Sequence, residues 1–375
     1  MYLSSLHLQS FRNYGALHIE FSPGLNVIYG DNAQGKTNLL ESIYFLATGK
    51  SHRTSRDQEL IREGDETLGA RATVVRKTGE IHLELHYGLQ SRKQLKINGI
   101  AERKITRLVG SLTAVFFSPD DLQLLKGSPS GRRRFLDIEL SQISQTYLHH
   151  LVTYNKVLAQ RNTLLKQDGV DDALLGVYDE QLIASGAQLI ARRAEAVHRL
   201  SPIAAQYHTL LAEGREELRT EYQSQVISAG EPSDVRGIQE RLREQLLQAR
   251  REERRRQVTL VGPHRDDVGF WISDRDARLY ASQGQQRTAV LALKLAELQF
   301  MTEEIGESPV LLLDDVASEL DPHRRHYLLH AVQEGVQTFV SCTDLEDLMV
   351  RRWPDEHRLF RVRAGEVQLD DRGLG

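Results

Sequence analysis

One eight-residue segment near the amino terminus limits the possible folds of this chain more than any other feature. It reads Gly30-Asp31-Asn32-Ala33-Gln34-Gly35-Lys36-Thr37 and fits the pattern G-x-x-x-x-G-K-[ST]. The apolar run before it, LNVIYG, predicts a short buried strand. The stretch after it, from Asn38 to Leu46, carries leucine and isoleucine at helical spacing. We therefore predict a strand, a tight loop and a helix in immediate succession.

Such a loop has the chemistry of a phosphate-binding site. Its glycines let the backbone approach phosphate oxygens, and its N–H groups and the helix N-terminus offer partial positive charge. We expect all eight residues to contact a nucleotide, with Lys36 reaching the β- and γ-phosphates and the Thr37 hydroxyl binding Mg²⁺. An ordinary glycine turn before a helix is the alternative, and the flanking strand and helix argue against it.

A second candidate element lies nearly 280 positions downstream, where Pro309-Val310-Leu311-Leu312-Leu313 is followed by Asp314 and Asp315. Two adjacent carboxylates after an apolar strand are costly to bury without a cation or a reacting group. We expect Asp314 to bind Mg²⁺, directly or through water, and Asp315 to orient or deprotonate an attacking water. The alternative is a strand that ends in a solvated turn.

Hydrophobic periodicity gives the order sheet, helical insert, sheet. Alternating residues before position 22 and three strand-like runs between 68 and 98 predict antiparallel strands, with a hairpin turn at Asn98-Gly99. Helical spacing then dominates, and strands return at Val310. The predicted division is 1–130, 131–258 and 259–375, the first and third parts forming one nucleotide-binding head and the second a helical arm with a helical hairpin.

The residues around this second element indicate which class of P-loop protein the chain resembles. Ser282-Gln283-Gly284-Gln285-Gln286-Arg287 precedes a helical run, and Ser318-Glu319-Leu320-Asp321 follows the strand. This order resembles the signature, Walker B and D-loop of the ABC ATPases. The resemblance implies an α/β fold: an ABC-type P-loop ATPase head, with a mixed sheet and an antiparallel β-subdomain, carrying an inserted helical arm.

That resemblance also implies a composite ATP site. Ser282, Gly284 and Gln285 would contact the γ-phosphate held by another copy of the chain, so ATP would form a homodimer. Lys36, Asp315 and Ser282 would be the catalytic residues. Gln283 stands where the wider pattern has its first glycine, and Asp315 is one methylene shorter than the usual glutamate; we therefore expect slow turnover.

The whole chain resembles the RecF family of bacterial recombination-repair ATPases. The segments that carry the resemblance are LHLQSFRNYG, GDNAQGKTNLLES, SHRTSRDQELIREG, FSPDDLQLLKGSPSGRRRFLD, GPHRDD, SQGQQR and LLLDDVASELD. The number of residues between Lys36 and Ser282 is larger than in transporter ATPases and much smaller than in long-arm chromosome-maintenance proteins. The resemblance implies DNA-dependent ATP hydrolysis, ATP-dependent dimerisation on single-stranded, gapped or duplex DNA, and loading of the RecA recombinase at gaps with the RecO and RecR mediator proteins.

Several basic residues are candidates for DNA contact, each with an alternative. Arg132 and Arg133, with Arg134, begin a helix, where cations need an anionic partner: a DNA phosphate or a structural carboxylate. Arg53 and Arg56 follow the P-loop helix and would contact DNA or nucleotide, or lie in a solvated loop. Lys93 and Lys96 flank the predicted hairpin and would face DNA or water. The run at 250–256 has Glu252 four residues before Arg256, which favours a solvated helix face.

Three further predictions concern polar residues near the expected site. Arg12 and Asn13, after the first strand, would contact the nucleotide or form a turn. Gln123 would link Mg²⁺ to the helical lobe, as a glutamine does in ABC ATPases. His264, Arg265, Asp266 and Asp267 would form a hydrogen-bonded loop rather than a metal cluster.

The composition limits the remaining classes of function. The net charge is −4, so a nucleic-acid surface must be a local patch. The single cysteine, Cys342, excludes a disulfide framework and a cysteine zinc site, and it is expected to be buried. No apolar run is long enough to cross a bilayer, and no leader pattern precedes the first strand; we expect a cytoplasmic protein without a membrane partner. A transporter ATPase subunit and a small-substrate P-loop kinase or GTPase are the alternatives.

Overall fold

The computed structural model describes the chain apart from residues 168, 170, 229–233, 317–319, 322–323, 326, 329–334, 349–355 and 371–375. It divides into two compact units. The head unit comprises residues 1–121 and 297–375, and the helical unit comprises residues 122–296. Each of the two units is stabilised by its own sheet and helix packing.

The head unit contains most of the strands. Its elements are β1 (Tyr2–Phe11), β2 (Tyr14–Glu20), β3 (Leu25–Tyr29), α1 (Lys36–Thr48), β4 (Thr67–Arg76), β5 (Gly79–Gly88), β6 (Ser91–Ile97), β7 (Ile100–Glu102) and β8 (Ala114–Phe117), then, after the helical unit, β12 (Val310–Leu313), β13 (Thr338–Cys342), β14 (His357–Arg363) and β15 (Glu366–Leu369). Short 3₁₀ turns lie at Asp57–Leu60, Ile105–Arg107, Pro119–Leu122 and Leu345–Leu348.

The helical unit consists of the elements between β8 and β12. They are α2 (Gln123–Lys126), α3 (Pro129–Ile143), α4 (Gln145–Leu165), α5 (Asp172–Leu211), β9 (Leu218–Gln223), α6 (Val235–Arg256), β10 (Asp267–Ile272), β11 (Arg275–Asp276), α7 (Ala277–Tyr280) and α8 (Gln283–Ile305). The last of these helices begins in the helical unit and ends in the head unit.

A mostly parallel sheet in the head unit positions the two predicted phosphate and metal elements. Its strand order is β15-β14-β3-β13-β12-β8, and only the β14–β15 pair is antiparallel. Every residue of β12 and β13 is buried, as expected for central parallel strands. The strand before the P-loop, β3, and the strand before Asp314, β12, are both neighbours of β13, so their carboxyl ends meet at one edge of the sheet.

An antiparallel sheet in the same unit has the order β2-β1-β4-β5-β6-β7. Its buried face carries alternate apolar residues such as Leu6 and Leu8, and the other face is polar. The predicted hairpin turn is confirmed: Asn98 and Gly99 have φ values of 51° and 77°, and Ile97 pairs with Ile100. Two consecutive positive φ angles are the reason for the Asn-Gly pair at this turn.

A buried glutamine connects the two sheets of the head unit. The side chain of Gln337 is 1% exposed; its Oε1 accepts from the Leu3 N–H at 2.7 Å, and its Nε2 donates to the carbonyls of Leu3 and Ser22 at 2.8 and 2.7 Å. Because unsatisfied buried polar groups are costly, this amide fixes β1 against the start of β13. This role of Gln337 was not predicted from the sequence.

The predicted helical hairpin is formed by α4 and α5. Leu164 and Leu165 at the end of α4 pack with Leu175 near the start of α5. The helical stretch predicted without a break from about 130 is interrupted at Ser144, where φ is −142° and the side chain accepts the Tyr147 N–H. A serine that caps the next helix therefore ends the previous one.

Buried ion pairs hold the helical unit together. Arg161 is fully buried and donates to Asp179 and Glu253, both at 2.7 Å, and to the Thr259 hydroxyl at 2.9 Å. These contacts join α4, α5, α6 and the segment that follows α6. The sheet of this unit, in the order β11-β10-β9, includes a strand, β9, that the sequence analysis did not predict.

The compact units differ from the predicted boundaries at 130 and 258. They place 122–130 and 259–296 with the helices, because β10 pairs with β9 and Arg132 pairs with Asp267. The three-part functional division stays a prediction. Across the described residues, every helix is too short or too polar to serve as a membrane span.

Candidate nucleotide-binding site

The loop 30–37 has the backbone conformation of a phosphate cradle. Gly30, Ala33 and Gly35 have φ values of 147°, 64° and 123°. A Cβ added at Gly30 would lie 2.4 Å from the Val362 carbonyl oxygen, and one at Gly35 would lie 2.6 Å from Asn13 Nδ2. Both glycines are therefore required by the fold itself.

Neighbouring polar side chains hold this loop in place. Asn13 donates from Nδ2 to the Gln34 carbonyl at 2.8 Å and accepts from Asn38 Nδ2 at 2.8 Å. The buried Tyr14 hydroxyl donates to the Gly35 carbonyl at 2.9 Å. Asn13 thus supports the loop from outside, which the sequence analysis did not foresee; its predicted contact with a nucleotide stays a prediction.

The turn between β14 and β15 contacts the loop from the other direction. The Ala364 N–H donates to Gln34 Oε1 at 2.7 Å, and the Gly365 N–H donates to the Gln34 carbonyl at 3.1 Å. A Cβ at Gly365 would lie 2.4 Å from the Asn13 carbonyl oxygen. Segments from both ends of the chain therefore fix the position of Gln34.

Arg12 is anchored by a carboxylate that sequence analysis missed. Its Nε and one terminal nitrogen donate to the two oxygens of Glu41 at 2.8 and 2.7 Å, and Glu41 is fully buried on α1. Burial acts to raise the pKa of Glu41, but hydrogen bonds from Arg12 and Ser51 outweigh it and the pKa is lowered. Glu41 therefore stays ionised and holds Arg12 beside the helix that follows the loop. A carboxylate such as Glu41 among the apolar residues of α1 was the sequence signal that could have indicated a buried ion pair.

Lys36 and Thr37 begin α1 and face different partners. Lys36 is 7% exposed, and its ammonium donates to the carbonyls of Gly30 and Asp31 at 2.7 and 2.9 Å, so the charge lies inside the loop. Thr37 Oγ1 donates to Asp314 Oδ1 at 3.0 Å. The structure thus brings together two residues 277 positions apart that were both predicted as magnesium ligands.

A serine on β13 joins the two carboxylate residues after β12. The fully buried Ser341 hydroxyl donates to Asp314 Oδ1 at 2.8 Å and accepts the Asp315 N–H at 2.9 Å. Asp315 has a φ of 53°, in the left-handed region that only a few non-glycine residues adopt. Ser341 therefore fixes both the side chain of Asp314 and the backbone of Asp315. It was not predicted, although a serine near the end of a mostly apolar strand was visible in the sequence.

The electrostatics at Asp314 favour a cation. Burial raises its pKa, hydrogen bonds from Ser341 and Thr37 act to lower it, and the charge of Asp315 raises it; the net direction is upward. A hydroxyl and a carboxylate oxygen are ligands that Mg²⁺ accepts, and a divalent ion would offset the burial of the carboxylate. The residues present therefore fit a magnesium ion held by Thr37 and Asp314, next to phosphates in the loop.

The predicted signature segment forms a capped helix start in the helical unit. The Ser282 N–H donates to Gln285 Oε1 at 2.7 Å and the Gln285 N–H donates to Ser282 Oγ at 3.3 Å, which is a capping box. Ser282, Gln283 and Gly284 are exposed, so the N-terminus of α8 is open to an anion. A Cβ at Gly284 would meet no atom nearer than Ser282 Oγ at 4.0 Å; the fold of the single chain does not require glycine here.

Part of the predicted D-loop lies outside the described residues, namely Ser318 and Glu319. Leu320 is buried, and Asp321 Oδ1 accepts the Arg324 N–H at 3.0 Å. Gln123, the predicted link to Mg²⁺, is the first residue of α2 in the helical unit; its role stays a prediction.

Two of the DNA-contact predictions require correction. Arg132 is 3% exposed and makes two hydrogen bonds with Asp267, at 2.7 and 2.8 Å, so the structural carboxylate is its partner and it is not available to DNA. Lys93 lies on the buried side of the antiparallel sheet, where it pairs with Asp57 at 2.9 Å and donates to the Gly49 carbonyl at 2.7 Å. The side chains of Arg132 and Lys93 therefore make structural contacts within the chain.

The other basic residues are placed differently. Arg133 donates to the Asp266 carbonyl at 2.7 Å. Arg53 contacts Asn38 at 3.0 Å with its side chain 46% exposed, while Arg56 and Lys96 are exposed. Glu252 accepts from Arg255 and Arg256, as expected for a solvated face.

Residues 264–266 form a hydrogen-bonded loop, and Asp267 begins β10. His264 contacts the Tyr154 hydroxyl at 2.6 Å and the Thr259 carbonyl at 3.1 Å, and burial lowers its pKa to about 4. Asp266 accepts from Tyr222, and Asp267 from Arg132. No cluster of metal-ligating side chains was found among the described residues. Cys342 is buried in β13, as predicted.

Comparison with known proteins agrees with this geometry. The model of the RecF/RecN/SMC N-terminal domain matches residues 2–367. The DNA replication and repair protein RecF of Symbiobacterium thermophilum is 74% identical over 374 residues, covering 100% of both chains. That of Bacillus subtilis is 44% identical over 371 residues, covering 98% of this chain and 100% of the relative.

Solved structures show the same fold. The recombination mediator protein RecF–ATP of the RecFOR pathway superposes with a TM-score of 0.91 and 36% identity, covering 98% of this chain and 97% of that chain. An Smc head bound to the C-terminal winged-helix domain of ScpA superposes with a TM-score of 0.57 at 17% identity, covering 99% of this chain and 97% of that chain, a likeness of fold alone. The predicted α/β ABC-type ATPase head is thereby confirmed, and the chain belongs to the RecF family.

Proposed function

We propose that this protein is an ATP-dependent DNA-binding ATPase that closes as a homodimer. One copy binds the triphosphate in its loop 30–37, and the second copy offers Ser282 and the N-terminus of α8. The observation that carries the proposal is the contact of Thr37 with Asp314 directly beside the phosphate cradle. The exposed capping box at Ser282 supports the second half, because its Oγ accepts from Gln285 and its hydrogen can be donated to a phosphate oxygen.

Each residue has a distinct part in this scheme. Lys36 moves its ammonium from two backbone carbonyls to the β- and γ-phosphates, which adds charge neutralisation at the site of reaction. Asp315, held by Ser341, orients or deprotonates a water. When bound, Mg²⁺ would supply Lewis acidity at the phosphate oxygens. Ser282 of the second copy stabilises the γ-phosphate only when the dimer is closed.

Dimer closure then responds to the state of the nucleotide. ATP bridges both copies and shifts the population toward the closed form, while loss of the γ-phosphate removes the shared ligand and releases DNA. Relatives named as DNA replication and repair proteins support a role in recombinational repair and replication restart. We place the protein upstream of RecA loading at gaps, together with RecO and RecR, in line with the named pathway of the solved relatives.

Light scattering with ATP and Mg²⁺ tests the composite site. The wild type should dimerise with ATP and return to monomer with ADP. Lys36→Ala should stay monomeric because it binds ATP weakly, and Ser282→Ala should bind ATP yet stay monomeric. Ser130→Ala, an exposed serine at the start of another helix, is the matched control and should dimerise. Dimerisation of Ser282→Ala at the wild-type ATP concentration would contradict the composite site.

A further inference from the structure

The polar face of the antiparallel sheet contains a groove of about 470 Å³ within the head unit. His7, His18, His86, Arg71 and Gln9 line it. Among the described residues that line the groove, none is Asp or Glu. The groove therefore offers hydrogen-bond donors and positive charge, and it suits an anion. None of these residues was assigned a role from the sequence.

Strand register creates this groove. His18 on β2 lies opposite His7 on β1, and His7 lies opposite Arg71 on β4. The same row continues to Glu84 on β5 and Lys96 on β6. Because strands lie about 4.8 Å apart, this row extends roughly 19 Å across the face. The exposed candidate Lys96 is thus an extension of the groove.

Small residues form the floor beside this row. Gly69 lies opposite Gln9 on one side and His86 on the other, and Ala16 lies opposite Gln9. A Cβ at Gly69 would lie 3.2 Å from His86 Nδ1, so the imidazole covers the glycine. The absence of a side chain at Gly69 therefore leaves room for the His86 ring on the sheet.

The charges in the groove have little compensation. His7 and His18 stack with ring centroids 3.9 Å apart. Burial lowers the pKa of His7, and the neighbouring His18 and Arg71 lower it further. Arg71 is 58% exposed and lies 3.8 Å from Glu84, which makes a weak pair. A bound anion would relieve the repulsion among these groups, so anion binding and proton uptake by the histidines should reinforce each other.

The charged and titratable groups of the three cross-strand rows through Ser5, His7 and Gln9 enter that balance. They are His7, His18 and Glu20 on β1 and β2, Arg71 on β4, His82, Glu84 and His86 on β5, and Lys96 on β6. Two carboxylates stand against two permanent cations and four histidines in these rows, and the Arg62 guanidinium lies beside Gly15 of the groove, so protonation of the histidines adds to a positive balance.

We propose that this groove binds the phosphodiester backbone of duplex DNA, an inference that rests on the DNA-binding function proposed above. A flat row of donors spaced by strand pairing matches a linear series of phosphates, which supply position rather than sequence. The groove offers His, Arg and Gln side chains over Gly and Ala, beside Leu8 and Leu17, and none of its described lining residues is the Phe, Tyr or Trp that is enriched at protein–protein interfaces. Binding here should therefore be independent of DNA sequence, sensitive to salt and stronger at lower pH.

Fluorescence anisotropy with a short labelled duplex, in the presence of ATP, tests this site. Wild-type affinity should rise about three- to tenfold from pH 7.5 to pH 6, since each proton taken up contributes at most tenfold per pH unit. His7→Gln/His18→Gln should flatten that dependence. Arg71→Gln should weaken binding and reduce the slope of log K against log salt by about 0.9, the value for one phosphate contact. His149→Gln, an exposed histidine on α4, is the control and should match the wild type.

The outcomes separate this proposal from the function on which it rests. Nucleotide binding without DNA should be unchanged in every variant, which shows that the fold is intact. If the groove variants bound DNA with the same affinity, salt slope and pH dependence as the wild type, the groove proposal would be wrong. The proposed DNA-binding function would then still hold. Lack of DNA binding by the wild type in any nucleotide state would overturn both. Equal competition by polyglutamate and by unlabelled duplex would assign the groove to an acidic protein instead.

Discussion

Ser341→Ala removes one buried oxygen atom and two hydrogen bonds that fix the carboxylate residues after β12. The bond to Asp314 Oδ1, at 2.8 Å, has an ionised acceptor and is worth about 1.5–3 kcal/mol, and an unsatisfied buried N–H at Asp315 costs about 1–3 kcal/mol. Asp314 retains its bond from Thr37, which limits the loss. We expect the free energy of unfolding to fall by about 3 kcal/mol at pH 8.

The effect should depend on pH, because the pKa of Asp314 is raised in the fold by burial. A group with a raised folded pKa contributes most to stability below its unfolded pKa, and that contribution is lost as the pH rises through the folded value. Removing the Ser341 donor raises the Asp314 pKa further, so the variant loses additional stability at high pH. At pH 5 protonated Asp314 has a larger population, and the difference from wild type should be smaller.

Thermal denaturation of the nucleotide-free protein at pH 5 and pH 8 measures this. A loss of 3 kcal/mol corresponds to a fall in Tm of about 6–12 °C, at about 2–4 °C per kcal/mol for a domain of 150–250 residues. Ser42→Ala is the matched control: Ser42 is fully buried and donates to the neutral Leu39 carbonyl at 2.6 Å. Its loss should be about 1 kcal/mol at both pH values. An equal effect of Ser341→Ala at the two pH values would refute the reasoning.

Two further substitutions separate structural from functional residues. Gly284→Ala should keep the fold and stabilise α8 by up to about 1 kcal/mol, because a Cβ there is unobstructed in the single chain; it should nevertheless weaken ATP-dependent dimerisation in light scattering, since the proposed dimer brings the second copy close to this turn. Arg161→Met should lower the free energy of unfolding in urea by about 3–5 kcal/mol, because it leaves buried Asp179 and Glu253 without their shared partner.

Controls make both of these results interpretable. Gly131→Ala, also an unobstructed glycine at the start of a helix, should leave dimerisation unchanged. Arg236→Met breaks a pair in which Arg236 is 85% exposed and should change stability by less than about 1 kcal/mol. Normal dimerisation of Gly284→Ala would argue against close approach at that turn. An Arg161→Met protein as stable as Arg236→Met would show that the buried pairs contribute little.

Local sequence patterns were sufficient to predict the elements that carry the phosphate site. The P-loop and the apolar strand before Asp314 are each encoded by consecutive residues, and parallel strands bring their ends together. The turn at Asn98-Gly99 was equally readable, because two positive φ angles are rare outside this residue pair.

The support around the site could not be predicted in the same way. Ser341, Tyr14, Glu41 and Gln337 act through partners that are distant in sequence, at separations up to 334 positions for Gln337 and Leu3. Such partnerships depend on tertiary packing, which a single sequence does not reveal. Ser144 was missed because a helix cap that interrupts continuous helical spacing looks like one polar residue among others.

Lys93 and Lys96 illustrate an error that strand geometry could have prevented. Three positions apart on one strand, they must point to opposite faces, because side chains alternate along β6. Lys93 is directed to the core and pairs with Asp57, while Lys96 is on the polar face. The sequence allowed either a DNA phosphate or a structural carboxylate as the partner of Arg132. The position of Asp267 on β10 shows that the partner is a carboxylate.

The affinity for a short duplex with ATP, with ADP and without nucleotide tests the central claim most directly. An ATP-closed dimer predicts tight binding with ATP alone, weak binding in the other two states, and weak binding in all three for Lys36→Ala. Equal DNA affinity in all three states, with the wild type monomeric throughout, would contradict the account.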